Sequence, residues 1–239
     1  MRFTVIMTYK FYSMNKKGFS LIEMAIVLII VGLLLTGLFA PLSAQLELHR
    51  NEETRLVLDE AKEALVGYVI ANKFLPCPDT TAIPNGTEGA RGVSNQCTIL
   101  EGVLPWQILG VRGVDAWGRY IRYRVSTNFS NNVVFFNISD TGDIRVNSDT
   151  GTLTTSAIAV LVSHGPNGLG GKNTTQASPA NQMPAPMGID ELENSNGFNM
   201  IYMNHTPTPK GSANEFDDSV SWIASTILVN RMVAAGQLP

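Results

Sequence analysis

Residues 14–41, MNKKGFSLIEMAIVLIIVGLLLTGLFAP, decide how the rest of the chain is interpreted. A basic pair and a glycine precede a long apolar run, in which Glu23 is the only ionisable side chain between Phe19 and Ala44. A helix of about 22 residues rises roughly 33 Å, which is enough to cross the core of a bilayer. A carboxylate inside such a span costs about 2.5–3.5 kcal/mol and indicates a functional partner. No basic side chain lies within helical reach, so we expect that partner on another chain or on a group created by processing.

Two other interpretations of the apolar run fit the sequence less well. A cleaved secretory signal has an apolar region of only about 7–15 residues, and Leu42-Ser43-Ala44 lacks a small residue at its first position. A buried helix of a globular protein is rarely apolar on every face over this length. The basic, acid-free residues 1–18 are typical of an N-terminus that stays in the cytoplasm.

The segment KKGFSLIEMAIVLIIVGLL resembles the cleavage and methylation segment of type IV pilins and type II secretion pseudopilins. The resemblance implies that a prepilin peptidase and N-methyltransferase cuts between Gly18 and Phe19 and methylates the new amine of Phe19. Glu23 stands at the signature acid of the family, and Lys16 and Lys17 hold the cut site at the cytoplasmic face. We expect the carboxylate of Glu23 to pair with the α-amine of a neighbouring subunit and so to set the register of a filament.

The same resemblance implies a structural subunit of the bacterial inner membrane, with a single span, a cytoplasmic N-terminus and a periplasmic body. Its partners are the peptidase, other pilin or pseudopilin subunits and the membrane, and it becomes filament-associated after assembly. The sequence leaves open whether that filament is a type II secretion pseudopilus or a type IV pilus, whether the subunit is major or minor, and whether translation starts at Met1 or Met14. The alternatives are a membrane-anchored periplasmic binding module that does not assemble and an exported enzyme.

The resemblance and the residue patterns together predict four regions. They are a leader (1–18), a transmembrane assembly helix (19–43), an amphipathic continuation of that helix (44–73) and a globular body (74–239). In the continuation, Leu58, Ala61, Leu65, Tyr68 and Asn72 recur at three- and four-residue steps. The expected fold is α+β: one long helix whose second half packs on a small antiparallel sheet, as in the lollipop architecture of the family.

The chain has 239 residues and a formal net charge of −3, although its N-terminus is basic. The mildly acidic body disfavours nucleic acid as a partner. Its two cysteines, Cys77 and Cys97, form a disulfide by default in an oxidising compartment, worth roughly 3 kcal/mol by loop entropy. Free or metal-bound thiols are the rival interpretation.

Short β-branched and aromatic runs predict strands at 119–125, 133–138, 158–163 and, more weakly, 199–203. Residues 115–120, DAWGRY, resemble the D-P-W-G-N-P-Y turn of pseudopilins, with Ala116 in place of the first proline. We expect Asp115 to bond its own backbone there and Gly118 to supply a permissive φ. Residues 172–212 are expected to form a long irregular loop.

Residues 163–171, SHGPNGLGG, lack the G-K-[ST] ending of a phosphate loop and resemble a glycine-rich loop of pseudopilins, with Asn167 in place of an aspartate. Asp217 and Asp218 precede Trp222, approximately as the calcium-binding acids of the major secretion pseudopilin do. The resemblance therefore implies a Ca²⁺ site, since hard cations take six to eight oxygens. The other interpretation, compatible with the first, makes either acid the N-cap of a helix over 220–235.

No signature of an enzyme appears in the chain. His49, His164 and His205 are scattered, and no catalytic triad signature, HExxH motif or zinc cluster of Cys and His is present. The sequence therefore predicts a structural protein, on which a peptidase and a methyltransferase act.

Overall fold

A computed structural model of the chain describes residues 18–175, 181–196 and 199–237, without the side chains of 35–42. Lys16 and Lys17 lie outside the described residues. The chain divides into two compact units, Met1–Glu47 and Leu48–Pro239, which are described separately.

The first unit contains the beginning of helix α1, which spans Leu21–Asn72 and continues through Pro41. Its described apolar side chains are exposed, and the exposed fraction reaches 81% for Phe19 and 89% for Leu21. No helix within the described residues is both long enough and apolar enough to pass through a membrane. The predicted boundary between residues 43 and 44 falls inside α1, and the division into a membrane half and an amphipathic half stays a prediction.

Within its described residues, the second unit combines the rest of α1 with a sheet and three short helices. Its elements in chain order are β1 (Glu101–Val103), α2 (Trp106–Leu109), β2 (Arg122–Val125), a 3₁₀ turn (Thr127–Ser130), β3 (Ile144–Ser148), β4 (Gly151–Ser163), α3 (Ile189–Ser195), β5 (Ile201–Met203), β6 (Ser219–Ala224) and α4 (Ser225–Ala234). The predicted α+β class is confirmed.

The described strands form a six-stranded sheet in which β4 is central. The order is β1-β2-β4-β3-β5, and β6 pairs with β4 as well. Pairing is antiparallel except between β3 and β5, which run parallel. The expected antiparallel sheet is therefore correct for most of its pairs, and the parallel pair at β5 makes it mixed.

The main core lies between α1 and one face of the sheet. On α1, the buried apolar side chains are Val57, Leu58, Ala61, Leu65, Val66 and Val69. They pack with Ile121, Tyr123 and Val125 of the β2 region and with Leu161 and Ile223. The predicted stripe is correct at Leu58, Ala61 and Leu65 and wrong at Asn72, which is exposed and donates its amide to the carbonyl of Tyr68 at 2.9 Å. The apolar face of the helix does not extend to Asn72 because α1 ends at this residue.

A disulfide joins Cys77 and Cys97 across a Cα–Cα distance of 5.4 Å, as predicted. Both cysteines belong to the main core. The bridge ties the loop after α1 back to the body, so neither cysteine is left as a free thiol.

The predicted strand at 133–138 is wrong. The Asn131 side chain accepts hydrogen bonds from the backbone N–H groups of Val133 and Val134, at 2.9 and 2.7 Å. Asn137 and Asp140 make similar local bonds to backbone N–H groups. Such short-range bonds compete with a strand ladder for the same backbone groups, so β propensity alone gave the wrong result.

Two further predictions fail in the last third of the chain. Residues 172–212 are not wholly irregular, because they include α3 and β5. The helix predicted over 220–235 begins only at Ser225, and its N-cap residue, Ala224, makes no side-chain capping bond. Asp217 and Asp218 precede the strand β6, so their interpretation as helix caps is wrong.

Candidate functional site

Three carboxylates meet where the end of β4, α3 and the start of β6 come together. One oxygen from each of Glu191, Asp217 and Asp218 lies within 4.8 Å of the others. Glu191 is in the first turn of α3, and the two aspartates lie directly before β6. We call these three residues the acidic cluster. The sequence predicted the two aspartates, and the structure adds the glutamate.

The loop that follows β4 brings its backbone onto this cluster. Gly165 has a φ of +52°, and a Cβ there would lie 2.5 Å from Oδ1 and 2.3 Å from the carbonyl oxygen of Asp217. Asn167 donates its backbone N–H to Oδ2 of Asp217 at 3.1 Å and its side-chain amide to Glu191 at 3.0 Å. Glycine is required at position 165 both by the conformation and by the close approach.

The acidic cluster is largely buried and only partly satisfied. Glu191 and Asp218 are 1% and 4% exposed. One oxygen each of Asp217 and Asp218, Oδ1 in both, is buried without a hydrogen-bond partner among the described residues. Nδ1 of His164 lies 3.4 Å from Oδ1 of Asp218, and neither nitrogen of this buried imidazole has a hydrogen-bond partner within the described residues. Buried polar groups without a partner are costly, so these oxygen and nitrogen atoms are available to interact with a ligand.

The electrostatics of the cluster favour a cation. Burial and, to a lesser extent, the neighbouring carboxylates of Glu191 and Asp218 together raise the pKa of the Asp217 carboxyl to about 7, against the hydrogen bond from the backbone N–H of Asn167. Burial likewise raises the pKa of Glu191, with Asp218 adding to the effect. Like charges in a low-dielectric site disfavour their common ionisation. A divalent cation would remove that repulsion.

Around the predicted cleavage point, the backbone of Gly18 and Phe19 precedes α1, and both residues are exposed. Ser20 and Glu23 form a capping box at the start of α1. The Ser20 N–H donates to Oε2 of Glu23 at 2.9 Å, and the Glu23 N–H donates to Oγ of Ser20 at 3.2 Å. The carboxylate of Glu23, for which the sequence offers no cationic partner, therefore has a local hydrogen-bond partner. The two reciprocal bonds satisfy backbone N–H groups that would otherwise be unpaired at the helix N-terminus.

The DAWGRY turn forms as predicted. Oδ1 of Asp115 accepts the backbone N–H groups of Trp117 and Arg119, both at 2.9 Å, and Gly118 has a φ of +77°. Oδ2 of Asp115 accepts the hydroxyl of Ser163 at 2.7 Å. Asp115 thus fixes the turn to the end of β4, next to the loop that covers the acidic cluster.

Sequence reasoning missed Glu191 and the position of His164. Both lie in regions expected to be loops, and nothing in their spacing places them beside Asp218. The available signal was the stretch IDELEN at 189–194, in which two acids begin a short amphipathic helix. Such acids are common at helix N-termini, so the stretch by itself does not indicate a metal ligand.

Comparison with known proteins identifies the N-terminal segment. Residues 13–39 match the family model described as the prokaryotic N-terminal methylation motif. This motif is the signature of the prepilin-type segment of type IV pilins and pseudopilins, and the chain carries it. No curated protein and no solved structure matches the chain.

Proposed function

We propose that this protein is a pilin-like or pseudopilin structural subunit, cut between Gly18 and Phe19 and assembled through α1 into a type II secretion pseudopilus or a type IV pilus. The observation that carries the proposal is the methylation motif at residues 13–39. Such a motif is typical of a structural subunit rather than an enzyme. The exposed apolar surface of the first part of α1 supports both a membrane location before assembly and packing among identical helices afterwards.

Processing is tested by co-expressing the full chain with a prepilin peptidase and determining the N-terminus of the product. The expected product begins with N-methylphenylalanine at Phe19. Gly18→Ala should block the cut, because the peptidase must accommodate the residue before the scissile bond and glycine has no side chain there. A matched control is Gly32→Ala, since a Cβ meets no atom within 4 Å at either position and neither change disturbs packing. An uncut chain, or a start near Gln45, would overturn the proposal.

Assembly is tested at Glu23. The capping box requires only a hydrogen-bond acceptor at this position, whereas the intersubunit ion pair requires a negative charge. Glu23→Gln keeps the capping geometry, because glutamine also fills this position of the box, but it removes the charge. If the carboxylate pairs with the α-amine of a neighbour, Glu23→Gln is processed normally and yet fails to enter filaments, as does Glu23→Ala. If Glu23→Gln assembles like the wild type while Glu23→Ala does not, the acid serves as a helix cap alone and the register role is excluded.

We also propose that the acidic cluster binds Ca²⁺ and joins the loop after β4 to α3 and β6. Three carboxylates within 4.8 Å suit a hard cation with oxygen ligands at 2.3–2.6 Å. The unpartnered Oδ1 atoms of Asp217 and Asp218 support the assignment. Glu215, whose Oε1 lies 3.5 Å from Nδ2 of Asn167, adds negative charge beside the cluster.

Calcium binding is tested by titrating the metal-free full chain in detergent and following its thermal unfolding. Calcium should raise the midpoint of the wild type, as expected for a ligand that binds only the folded state. Asp217→Asn should abolish the shift, whereas Asp149→Asn, in the exposed turn between β3 and β4, should keep it. An equal shift in all three proteins would exclude the acidic cluster as the site.

A further inference from the structure

A second site lies on the face of the sheet opposite to α1. A cavity of about 610 Å³ is lined by side chains of β1, β2 and the loops around them, and we call it the sheet cavity. Its charged lining residues are Asp79, Glu101, Arg122, Arg124 and Lys172. Its volume falls in the range of about 300–1,000 Å³ that is usual for small-molecule sites.

Both acids of the sheet cavity already make hydrogen bonds or ion pairs with other groups of the protein. Asp79 accepts the backbone N–H groups of Thr81, Asn85 and Gly86, at 2.9, 2.7 and 2.6 Å, and the Thr81 hydroxyl. Its carboxylate therefore organises its own turn and offers little to a ligand.

Glu101 is similarly engaged, because it holds the two arginines of the cavity. It pairs with Nε of Arg122 and with Arg124, the latter at 2.9 Å, and it accepts the Tyr202 hydroxyl at 2.8 Å. Arg122 also donates to the carbonyl of Ser195 at 2.8 Å. These arginines are held in place by the fold, and one buried carboxylate offsets part of their positive charge.

Lys172 differs from the arginines. The shortest contact of its ammonium group given by the structure is 3.5 Å, to the carbonyl of Thr81. The group is half-buried, and this burial lowers the pKa of Lys172, while the nearby carboxylate of Asp79 acts in the opposite direction. Three cations against two carboxylates leave one formal positive charge in excess on the lining, in a protein whose net charge is −3. The cavity is therefore suited to one negative charge, and Lys172, whose ammonium group makes only this longer contact among the described residues, is the cation best placed to receive it.

The remaining lining indicates what carries that charge. Tyr120 is held by stacking on Trp106, with 5.2 Å between the ring centroids, and it lines the cavity together with the polar residues Thr80 and Thr98. An aromatic ring beside polar side chains suits a hydroxylated ring. Phosphate is favoured by free arginine forks, and here the forks are already committed to Glu101. A singly charged carboxylate matches a single lysine.

We propose that the sheet cavity binds a small saccharide that carries one carboxylate, with Lys172 as the charge anchor and Tyr120 as the surface against which the sugar ring packs. The site uses neither Gly18 nor Glu23, and it adjoins the acidic cluster through His164, which lines the cavity and lies 3.4 Å from Asp218. It does not depend on cleavage or assembly, and it gives the subunit a recognition function in addition to a structural one.

The test is calorimetric titration of the full chain in detergent with D-glucuronate and with D-glucose, which share a ring and differ in the carboxylate. Glucuronate should bind at least tenfold more tightly. Lys172→Met should weaken glucuronate binding about tenfold or more and leave glucose unchanged, because a charge-assisted contact is lost. Lys210→Met, an exposed lysine outside the cavity, is the matched control and should behave as the wild type. Circular dichroism verifies that each variant is folded.

Three results would overturn the proposal. They are equal affinity for glucose and glucuronate, unchanged glucuronate binding by Lys172→Met, and absence of heat with either sugar at tens of millimolar. Two further probes examine the ligand class. Tighter binding of N-acetylglycine than of glucuronate would replace the saccharide by a peptide carboxylate, and tighter binding of inorganic phosphate would replace the carboxylate altogether. Because the titration needs neither peptidase nor filament, its failure leaves the proposed structural role untouched.

Discussion

The two parts of helix α1 have the same backbone and opposite surroundings. Leu28, in the first unit, is 67% exposed, whereas Leu65, in the second, is 0% exposed. Leu65 contacts a sheet that the chain itself supplies, and Leu28 has no such cover in the described structure of its unit. The difference shows that apolar residues of one helix can have two kinds of surroundings: those near Leu65 stabilise the fold, and those near Leu28 are exposed, as the proposed role in a membrane or a filament requires.

The largest expected effect is at Leu65. Leu65→Ala should lower the free energy of unfolding of the body by about 2–5 kcal/mol, because it removes buried methyl groups and leaves a cavity. Leu28→Ala should change it by less than about 0.5 kcal/mol. Urea unfolding of both variants in detergent, followed by tryptophan fluorescence, measures the pair. Similar losses in both would show that the two parts of α1 are not energetically distinct.

The next effect concerns the disulfide, which constrains the body alone. Replacing Cys77 and Cys97 together by serine should lower stability by about 2–4 kcal/mol, through the freedom regained by the unfolded chain and the loss of two core side chains. The same urea titration provides the value, and reduction of the wild type with dithiothreitol provides the control. Peptidase cleavage at Gly18 should be unaffected, and loss of cleavage would link the two units.

A smaller effect is expected from pH at the acidic cluster. The raised pKa of Asp217, about 7, means that the folded metal-free protein binds more protons than the unfolded chain between pH of about 4 and 7. Its stability should therefore decrease as the pH rises through this window, while its affinity for calcium should increase because the ligands lose their protons. Thermal unfolding between pH 5 and 8, with calcium or with EDTA, measures both trends.

The matched variant for the pH experiment is Asp217→Asn, which should flatten the metal-free pH dependence. Asp149→Asn, in an exposed turn, should retain it. A wild-type protein that becomes steadily more stable up to pH 7 without calcium would contradict the assignment of the raised pKa to this carboxyl.

The smallest effect is expected in the loop at 133–138, which exposes apolar residues as the first part of α1 does. Val134 is 70% exposed, so Val134→Thr should alter the free energy of unfolding by less than about 0.5 kcal/mol. Phe136, which is 6% exposed and packs on Phe129 with 4.5 Å between ring centroids, should cost several times more when changed to leucine. Comparable losses for both would show that Val134 is covered in solution.

Much of the local structure was predictable because it depends on short-range chemistry. The apolar run predicted a helix, and DAWGRY predicted a turn in which Asp115 bonds its own backbone. The strand at 133–138 was predicted wrongly by the same kind of reasoning, because Asn131 competes for the N–H groups of the next residues. Strand β6 was mistaken for the start of a helix, because its pairing with β4 involves residues far away in the sequence.

The residues of the candidate sites also fall into two groups: those that a local motif predicts and those that only the folded structure identifies. Gly18, Phe19 and Glu23 follow from a contiguous motif, and Asp217 and Asp218 from their position before a tryptophan. Glu191 completes the acidic cluster from α3, and Lys172 reaches the sheet cavity from the loop after β4. No spacing rule connects these positions, because the distance between them is set by how the loops fold back on the sheet.

The sequence by itself determined the prepilin-type segment, the apolar helix, the paired cysteines and the turn at Asp115, because each depends on neighbouring residues or on a default chemistry. Only the tertiary structure decided which carboxylates share a site, which lysine lines the sheet cavity and which face of α1 is covered. The physical reason is that burial and charge pairing depend on distances in space, and the sheet brings together residues as far apart in the chain as Ser163 of β4 and Ser219 of β6.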